Sequence, residues 1–176
     1  MWIFLGFSVY GVSLVSTYLA STIYHLYAYY HPIPNKKFRR YLLLFDHCSI
    51  FFLIAGSYSP IILFFMRTPL GWSLLGLIWL LTFAGILYKI YYIGKFKRFS
   101  LFMYVSMSWL IVLSIKDMLV LLPMDFIKFI FAGGMFYMVG IIFYQKKNIS
   151  FNHAIWHLFV LIASCIHYYA MITFIR

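Results

Sequence analysis

The stretch GWSLLGLIWLLTFAGILY, residues 71–88, runs for eighteen residues without a single charged side chain. A helix needs about 20 predominantly apolar residues to cross the roughly 30 Å hydrocarbon core of a bilayer. Charges are also rare in the rest of the chain, since 10% of the 176 residues are charged and 65% are hydrophobic. The sequence therefore predicts an integral membrane protein.

Six apolar runs of this kind divide the chain, at residues 3–30, 42–65, 71–93, 99–115, 125–144 and 152–175. The fourth run is the shortest because Lys116 and Asp117 close it, and we expect an interfacial turn around Pro123 after it. No linker or internal repeat separates the runs. The sequence thus predicts an all-α transmembrane helix bundle with six spans, forming one membrane domain over residues 1–176.

The net charge of +11 is distributed unevenly between the loops. Basic residues cluster after runs one, three and five, at Lys36, Lys37, Arg39, Arg40, Lys95, Lys97, Arg98, Lys146 and Lys147. By the positive-inside rule these loops are cytoplasmic, so the N-terminus and the C-terminal Arg176 are expected outside the plasma membrane. We interpret the charge as a topology signal and a contact with anionic membrane lipids, with no nucleic-acid partner.

Two histidines, His153 and His157, stand four residues apart at the start of the last run. One helical turn separates them, so both rings project from the same side. Polar rings in an apolar segment need a partner, and a shared metal ion is one such partner. A hydrogen-bonded structural pair is the alternative. His167 lies about 15 Å farther along the helix and is expected to make a structural hydrogen bond instead.

The predicted topology places two further groups at the same membrane level. His25 ends run one and Asp46 begins run two, on either side of the basic residues 36–40. We therefore expect His25, Asp46, His153 and His157 to lie near the cytoplasmic face. Three imidazoles with an open fourth position are typical of a catalytic zinc site rather than a structural one.

Zinc in such a site makes water nucleophilic, and a nearby carboxylate can take and return the proton. Asp46 is the candidate carboxylate, and Ser21, one turn before His25, could hold the water or an oxyanion. Simpler interpretations stay open. Asp46 could cap the second helix, His25 could be an interfacial histidine, and Ser21 could bond its own backbone. Imidazoles also suit other borderline metals.

Several segments of this sequence resemble the hemolysin III family, bacterial relatives of the progestin and adipoQ receptors, which include the adiponectin receptors. The segments are Ser21-Thr-Ile-Tyr-His25, Leu44-Phe-Asp46, Ala55-Gly-Ser-Tyr-Ser-Pro60, Ala132-Gly-Gly134 and His153-Ala-Ile-Trp-His157. The resemblance covers nearly the whole chain. It implies zinc held by His25, His153 and His157, with Ser21 and Asp46 around the bound water.

The resemblance also carries expectations about fold and activity. The family usually has seven spans, so this chain is expected to lack the first span, which holds none of the matched residues. The wider superfamily includes ceramidases, which implies hydrolysis of a ceramide-like lipid amide or an ester. Members named for haemolysis imply instead a pore-forming cytolysin or a regulator of membrane-lipid homeostasis. Membrane lipids are the expected partners, and a homo-oligomer is left open.

Overall fold

The structure is a computed structural model that describes residues 1–175, and the position predicted for Arg176 lies outside the described residues. Every regular element within residues 1–175 is helical, which confirms the all-α fold class. Six helical segments of this part of the chain are long and apolar enough to cross a membrane, as the six apolar runs predict.

The helices follow one another with short connections. They are α1 (Trp2–Tyr30), α2 (Lys36–Phe64), α3 (Pro69–Tyr92), α4 (Lys97–Trp109), α5 (Ile115–Leu121), α6 (Met124–Gln145) and α7 (Asn152–Phe174). A 3₁₀ turn, Leu110–Ser114, joins α4 to α5. The chain divides into two compact units, Met1–Leu113 and a second unit that begins at Ser114. The single membrane domain expected from the sequence stays a prediction.

Helix α2 begins before the apolar run that starts at residue 42. Its N-cap is Asn35, whose side-chain oxygen accepts hydrogen bonds from the backbone N–H groups of Lys37 at 3.0 Å and Phe38 at 3.2 Å. Such a cap stabilises a helix by about 1 kcal/mol. Asp46 consequently lies almost three turns inside α2, so the interpretation of Asp46 as the helix cap is wrong. Hydropathy marks where lipid begins, whereas capping decides where the helix begins.

The fourth span also differs from the sequence prediction. The chain passes from α4 through the 3₁₀ turn and continues as helix past Lys116 to Leu121, so the break expected around Pro123 is present but is confined to Leu122 and Pro123. Within the first unit, the Tyr58 hydroxyl of α2 accepts a hydrogen bond from the Ile111 N–H at 2.9 Å and donates one to the Met107 carbonyl at 2.8 Å. The side chain thereby satisfies backbone groups at the point where the helix changes its hydrogen-bonding pattern.

In the first unit, α2 packs against α1, α3 and α4. The contact with α1 depends on small residues, because a Cβ atom added to Gly56 would collide with the Ser13 side chain. A Cβ on Gly6 would lie 2.8 Å from the Cα of Pro60. Small residues that let two backbones approach closely are the usual basis of helix association in membranes. These contacts show that α1 and α2 run antiparallel.

In the second unit, α6 and α7 pack along each other. Gly133 of α6 leaves room for the His167 ring, with which an added Cβ would collide. His167 Nε2 donates a hydrogen bond to the Ile130 carbonyl at 3.0 Å, which confirms the structural bond expected for His167. The Tyr137 hydroxyl and Ser164 Oγ share a further hydrogen bond of 2.7 Å. Together these contacts set the position of α7 along α6.

Candidate metal centre

The two histidines at the start of α7 meet at their ring nitrogens. His153 Nε2 and His157 Nε2 lie 3.0 Å apart, and their ring planes are nearly perpendicular, at 87°. The N-cap residue Phe151 takes a left-handed conformation with φ 58°, so α7 begins at Asn152 and already includes both histidines. The two rings therefore project from one side of the helix, as their four-residue spacing predicts.

The distance between these two nitrogens suits a shared metal ion. In a tetrahedral zinc site with bonds of about 2.0–2.1 Å, two ligand nitrogens are about 3.3 Å apart. The observed 3.0 Å differs from that value by only a few tenths of an ångström. The same distance also fits a hydrogen bond in which one Nε2 is protonated and the other accepts. The pair is thus compatible with both interpretations made from the sequence.

The third predicted ligand belongs to the first unit. His25 lies near the C-terminal end of α1, is half-buried, and packs edge-on against Tyr24 with ring centroids 5.0 Å apart. His25 in the first unit, like His153 and His157 in the second, can offer one ring nitrogen as a candidate metal ligand. Three imidazoles form a donor set that suits zinc.

The candidate proton carrier Asp46 also lies in the first unit. Its Oδ2 is 3.8 Å from His47 Nδ1, and its side chain is 16% exposed. His47 Nδ1 donates a hydrogen bond to the Leu43 carbonyl at 2.9 Å, which ties this ring to its own helix. Within residues 1–175, Asp46 makes no closer ion pair. A largely buried carboxylate without a tight cationic partner is suited to accept and return a proton.

The register between α1 and α2 relates Ser21 to Asp46. Thr17 Oγ1 lies 3.0 Å from the Ser49 carbonyl and 2.8 Å from the Ser13 carbonyl, so it joins the two helices at this level. Ser21 lies one turn after Thr17 in α1, and Asp46 lies about one turn before Ser49 in α2. Because the helices are antiparallel, both steps lead in the same direction. The packing therefore brings Ser21 and Asp46 to one level of this helix pair.

One charged residue of the first unit is not among the site residues predicted from the sequence. Lys89, in the last turn of α3, has only 3% of its surface exposed. The sequence does contain a signal for it, because Lys89 is the one charged residue inside the third apolar run, residues 71–93. Such a residue in a membrane span is expensive to bury and commonly has a functional partner.

Comparison with known proteins identifies the family. The model of the family described as haemolysin-III related matches residues 2–168. Hemolysin-3 of Bacillus cereus is 41% identical over 97% of this chain and 75% of its own length. The hemolysin-3 homolog of Bacillus subtilis (strain 168) is 37% identical, over 98% and 78% respectively.

A mammalian relative extends this similarity. The human monocyte to macrophage differentiation factor is 32% identical over 93% of this chain and 67% of its own length. No solved structure gives a significant match. The family model and the bacterial relatives confirm the resemblance seen in the sequence, and the six apolar helices of the described residues agree with it. The chain is therefore a multi-pass membrane protein that belongs to the haemolysin-III related family.

Proposed function

We propose that this protein is a zinc-dependent hydrolase of the plasma membrane that cleaves a lipid amide resembling ceramide, or a lipid ester. The observation that carries the proposal is the 3.0 Å separation of His153 Nε2 and His157 Nε2 at the start of a membrane-spanning helix. Two imidazoles held this close in an apolar segment favour a common ligand. Zinc is one metal whose tetrahedral geometry fits them.

His25, His153 and His157 are the proposed zinc ligands. This assignment rests on the resemblance of the two histidine segments to the family and on the ring nitrogen that each residue can offer. Zinc with three imidazole ligands supplies a nucleophilic water near neutral pH and polarises a carbonyl group. Three protein ligands would leave a fourth position for water or substrate.

Asp46 is the proposed general base and acid. Its carboxylate accepts the proton released as water adds to the carbonyl carbon, and then returns it to the leaving nitrogen. The carbon–nitrogen bond breaks, and a fatty acid and an amine are formed. The low exposure of Asp46 and the absence of a tighter ion pair to it among the described residues support this role.

Ser21 is the proposed oxyanion donor. Its hydroxyl lies at the level of Asp46 within the α1 and α2 pair, and it precedes His25 by one turn. A hydroxyl that donates to the oxygen on which negative charge develops stabilises the transition state more than the ground state. The lipid substrate enters from the bilayer, and the proposed site lies near the cytoplasmic face, with the N-terminus outside.

The experiment that tests the proposal is metal analysis of detergent-purified protein. We expect about one zinc per wild-type chain and none after His153→Ala/His157→Ala, since two of three ligands are then lost. His31→Ala is the matched control, because His31 is exposed and its Nδ1 bonds the Tyr27 carbonyl. Fatty acid release from ceramide and from ester lipids, followed by mass spectrometry, then tests hydrolysis. A well-folded wild type without metal contradicts the proposal.

A second function, membrane lysis by an oligomeric pore, is favoured by one comparison. The Bacillus cereus relative, 41% identical to this chain, is named hemolysin-3. Lysis needs neither the carboxylate of Asp46 nor an open zinc position. Leakage of dye from vesicles that is unchanged by Asp46→Asn, together with no fatty acid release from any lipid, would favour the pore over the hydrolase.

A further inference from the structure

A groove lies over α2 between α1 and α3, within the first unit. It has a volume of about 200 Å³, and its lining includes Ala20 of α1, Phe45, Cys48, Ser49 and Phe52 of α2, and Ile86 of α3. Phe45 is 67% exposed, so the groove is open on the side away from α2. Because its three helices are long and apolar enough to cross a membrane, this open side faces the hydrocarbon of the bilayer. The groove shares no residue with the proposed zinc site.

The walls of the groove are held in place by contacts beneath them. Thr17 Oγ1 lies 3.0 Å from the Ser49 carbonyl, and this contact joins α1 to α2 beside the groove. Phe52 packs edge-on against Trp79 of α3 with ring centroids 5.8 Å apart. Trp79 Nε1 in turn donates a hydrogen bond to Ser59 Oγ at 3.3 Å. The groove is therefore preformed, and a ligand that enters it does not have to order these side chains first.

The lining suits a hydrocarbon chain better than water. Most of its side chains are apolar, and the Cys48 thiol behaves as a small apolar group. The Ser49 hydroxyl donates a hydrogen bond to the Asp46 carbonyl at 2.8 Å, so it is satisfied within its own helix. Ser16 supplies the only other hydroxyl of the lining, whereas a water held in a cavity needs about two to four polar partners. The groove is also too small for a helix, which is about 10–12 Å wide with its side chains.

The side of α2 that forms the groove continues to a lysine at the start of the helix. Spacings of three or four residues place on this side Lys37, Tyr41, Phe45, Cys48 and Phe52. Lys37 is exposed, and none of the ion pairs within residues 1–175 includes it. From Lys37 to Cys48 is about 16 Å along the helix, or about half of the roughly 30 Å hydrocarbon core. One lipid of a single leaflet can therefore reach both residues.

The first turn of α2 is strongly cationic. Lys36, Arg39 and Arg40 are exposed there together with Lys37. Exposed lysines and arginines beside a membrane-spanning segment attract anionic headgroups. The long side chain of a lysine also lets its methylenes lie on apolar surface while the ammonium stays at the polar boundary. The charge at this end of the groove thus complements an anionic lipid.

We propose that this groove binds one anionic phospholipid, with an acyl chain along Phe45 and Phe52 and the phosphate at Lys37. The ammonium and a phosphate oxygen form a charge-assisted hydrogen bond, which supplies the preference for an anionic headgroup. Tyr41, half-exposed between the lysine and the groove, is a residue type that is common at the boundary between lipid and water. The site is separate from the proposed zinc ligands and does not depend on hydrolysis.

Native mass spectrometry of the full chain in a neutral detergent tests the proposal. The chain is titrated with dioleoyl phosphatidylglycerol and, as the zwitterionic control with the same acyl chains, with dioleoyl phosphatidylcholine. We expect one phosphatidylglycerol per chain, bound at least about fivefold more tightly than phosphatidylcholine. Equal affinities for the two lipids overturn the proposal. Dimers of the chain that persist in excess phosphatidylglycerol would make a second copy the occupant and overturn it as well.

One pair of variants tests the acyl chain. Ala20→Leu fills part of the groove, so affinity for phosphatidylglycerol should fall at least about tenfold, the equivalent of about two buried methylenes. Ala84→Leu is the matched control, because Ala84 is exposed on α3 and does not line the groove. Equal affinities of these two variants place the lipid elsewhere and overturn the proposal.

A second pair tests the headgroup. Lys37→Met keeps the length of the side chain and removes its charge, so affinity for phosphatidylglycerol should fall about fivefold while that for phosphatidylcholine stays the same. Lys36→Met makes the same change at an exposed residue that projects about 100° away from Lys37, and it should lower affinity less than about twofold. Equal losses in the two lysine variants mean that net charge alone attracts the lipid, which overturns the site. If Ala20→Leu is not recovered folded, the lysine pair decides, since both changes lie on the surface.

Discussion

The hydroxyl of Tyr58 accepts a hydrogen bond of 2.9 Å from the backbone N–H of Ile111, 53 residues later in the chain. Ile111 lies in the 3₁₀ turn after α4, and the same hydroxyl donates to the Met107 carbonyl just before that turn. Both Tyr58 and Ile111 are buried, so water does not replace these bonds. One side chain of α2 thus stabilises the irregular part of the fourth span.

Tyr58→Phe should therefore destabilise the protein. The change removes only the hydroxyl, and it leaves a buried N–H without its acceptor, which costs about 1–3 kcal/mol. Equilibrium unfolding in detergent, followed by circular dichroism, measures the difference. Tyr29→Phe is the control, because Tyr29 is 78% exposed and the same chemical change should have almost no effect there. Equal stability of the two variants would show that the irregular turn does not need Tyr58.

Much of this helical arrangement could be predicted from the sequence, because hydropathy reports which residues lipid can surround. The uncharged stretch at 71–88 lies within α3. Features that depend on hydrogen bonds to particular backbone groups could not be predicted in this way. The cap at Asn35 and the contact between Tyr58 and Ile111 are hydrogen bonds to backbone groups, and the hydropathy of the sequence does not indicate either of them.

In the candidate site, too, some features follow from residue spacing, whereas others depend on contacts between helices. The spacing of His153 and His157 predicts their common side of the helix, since both belong to one turn. The level of Ser21 relative to Asp46 follows from a contact between two helices, Thr17 to Ser49, which the sequence does not reveal. The roles of Ser21, His25 and Asp46 in catalysis stay predictions.

Gly133→Ala should destabilise the second unit. The new Cβ would collide with the His167 ring, and relief of that collision costs the hydrogen bond to the Ile130 carbonyl. Overpacking of this kind costs about 1–3 kcal/mol. Gly76→Ala is the control, because nothing lies within 4 Å of a Cβ at Gly76 and alanine is the better helix former.

A double variant separates the collision from other effects of the Gly133 change. In Gly133→Ala/His167→Ala the smaller side chain leaves room for the Cβ, so the two losses should not add. Unfolding free energies of the wild type, both single variants and the double variant give the coupling directly. Strictly additive losses would mean that Gly133 and His167 act independently.

Removal of zinc should lower the stability of the wild type. A ligand present at about 100 times its dissociation constant stabilises the folded state by about 2.7 kcal/mol. Thermal unfolding in detergent, with and without a strong chelator, measures this difference as a fall in Tm. The His153→Ala/His157→Ala variant should melt at the same temperature in both conditions. A chelator that lowers its Tm as much as that of the wild type would point to an effect unrelated to these ligands.

Asp46→Asn should abolish hydrolysis while zinc remains bound. The amide keeps the size of the side chain but cannot accept a proton, and loss of a general base typically lowers the rate by about 10²–10⁴-fold. Asp125→Asn is the matched control, because Asp125 is exposed and pairs only with Lys128 on the surface of α6. Release of fatty acid and zinc content are measured on the same preparations. A normal zinc content with unchanged hydrolysis in Asp46→Asn would assign proton transfer to another group, whereas loss of zinc would make Asp46 part of the metal site.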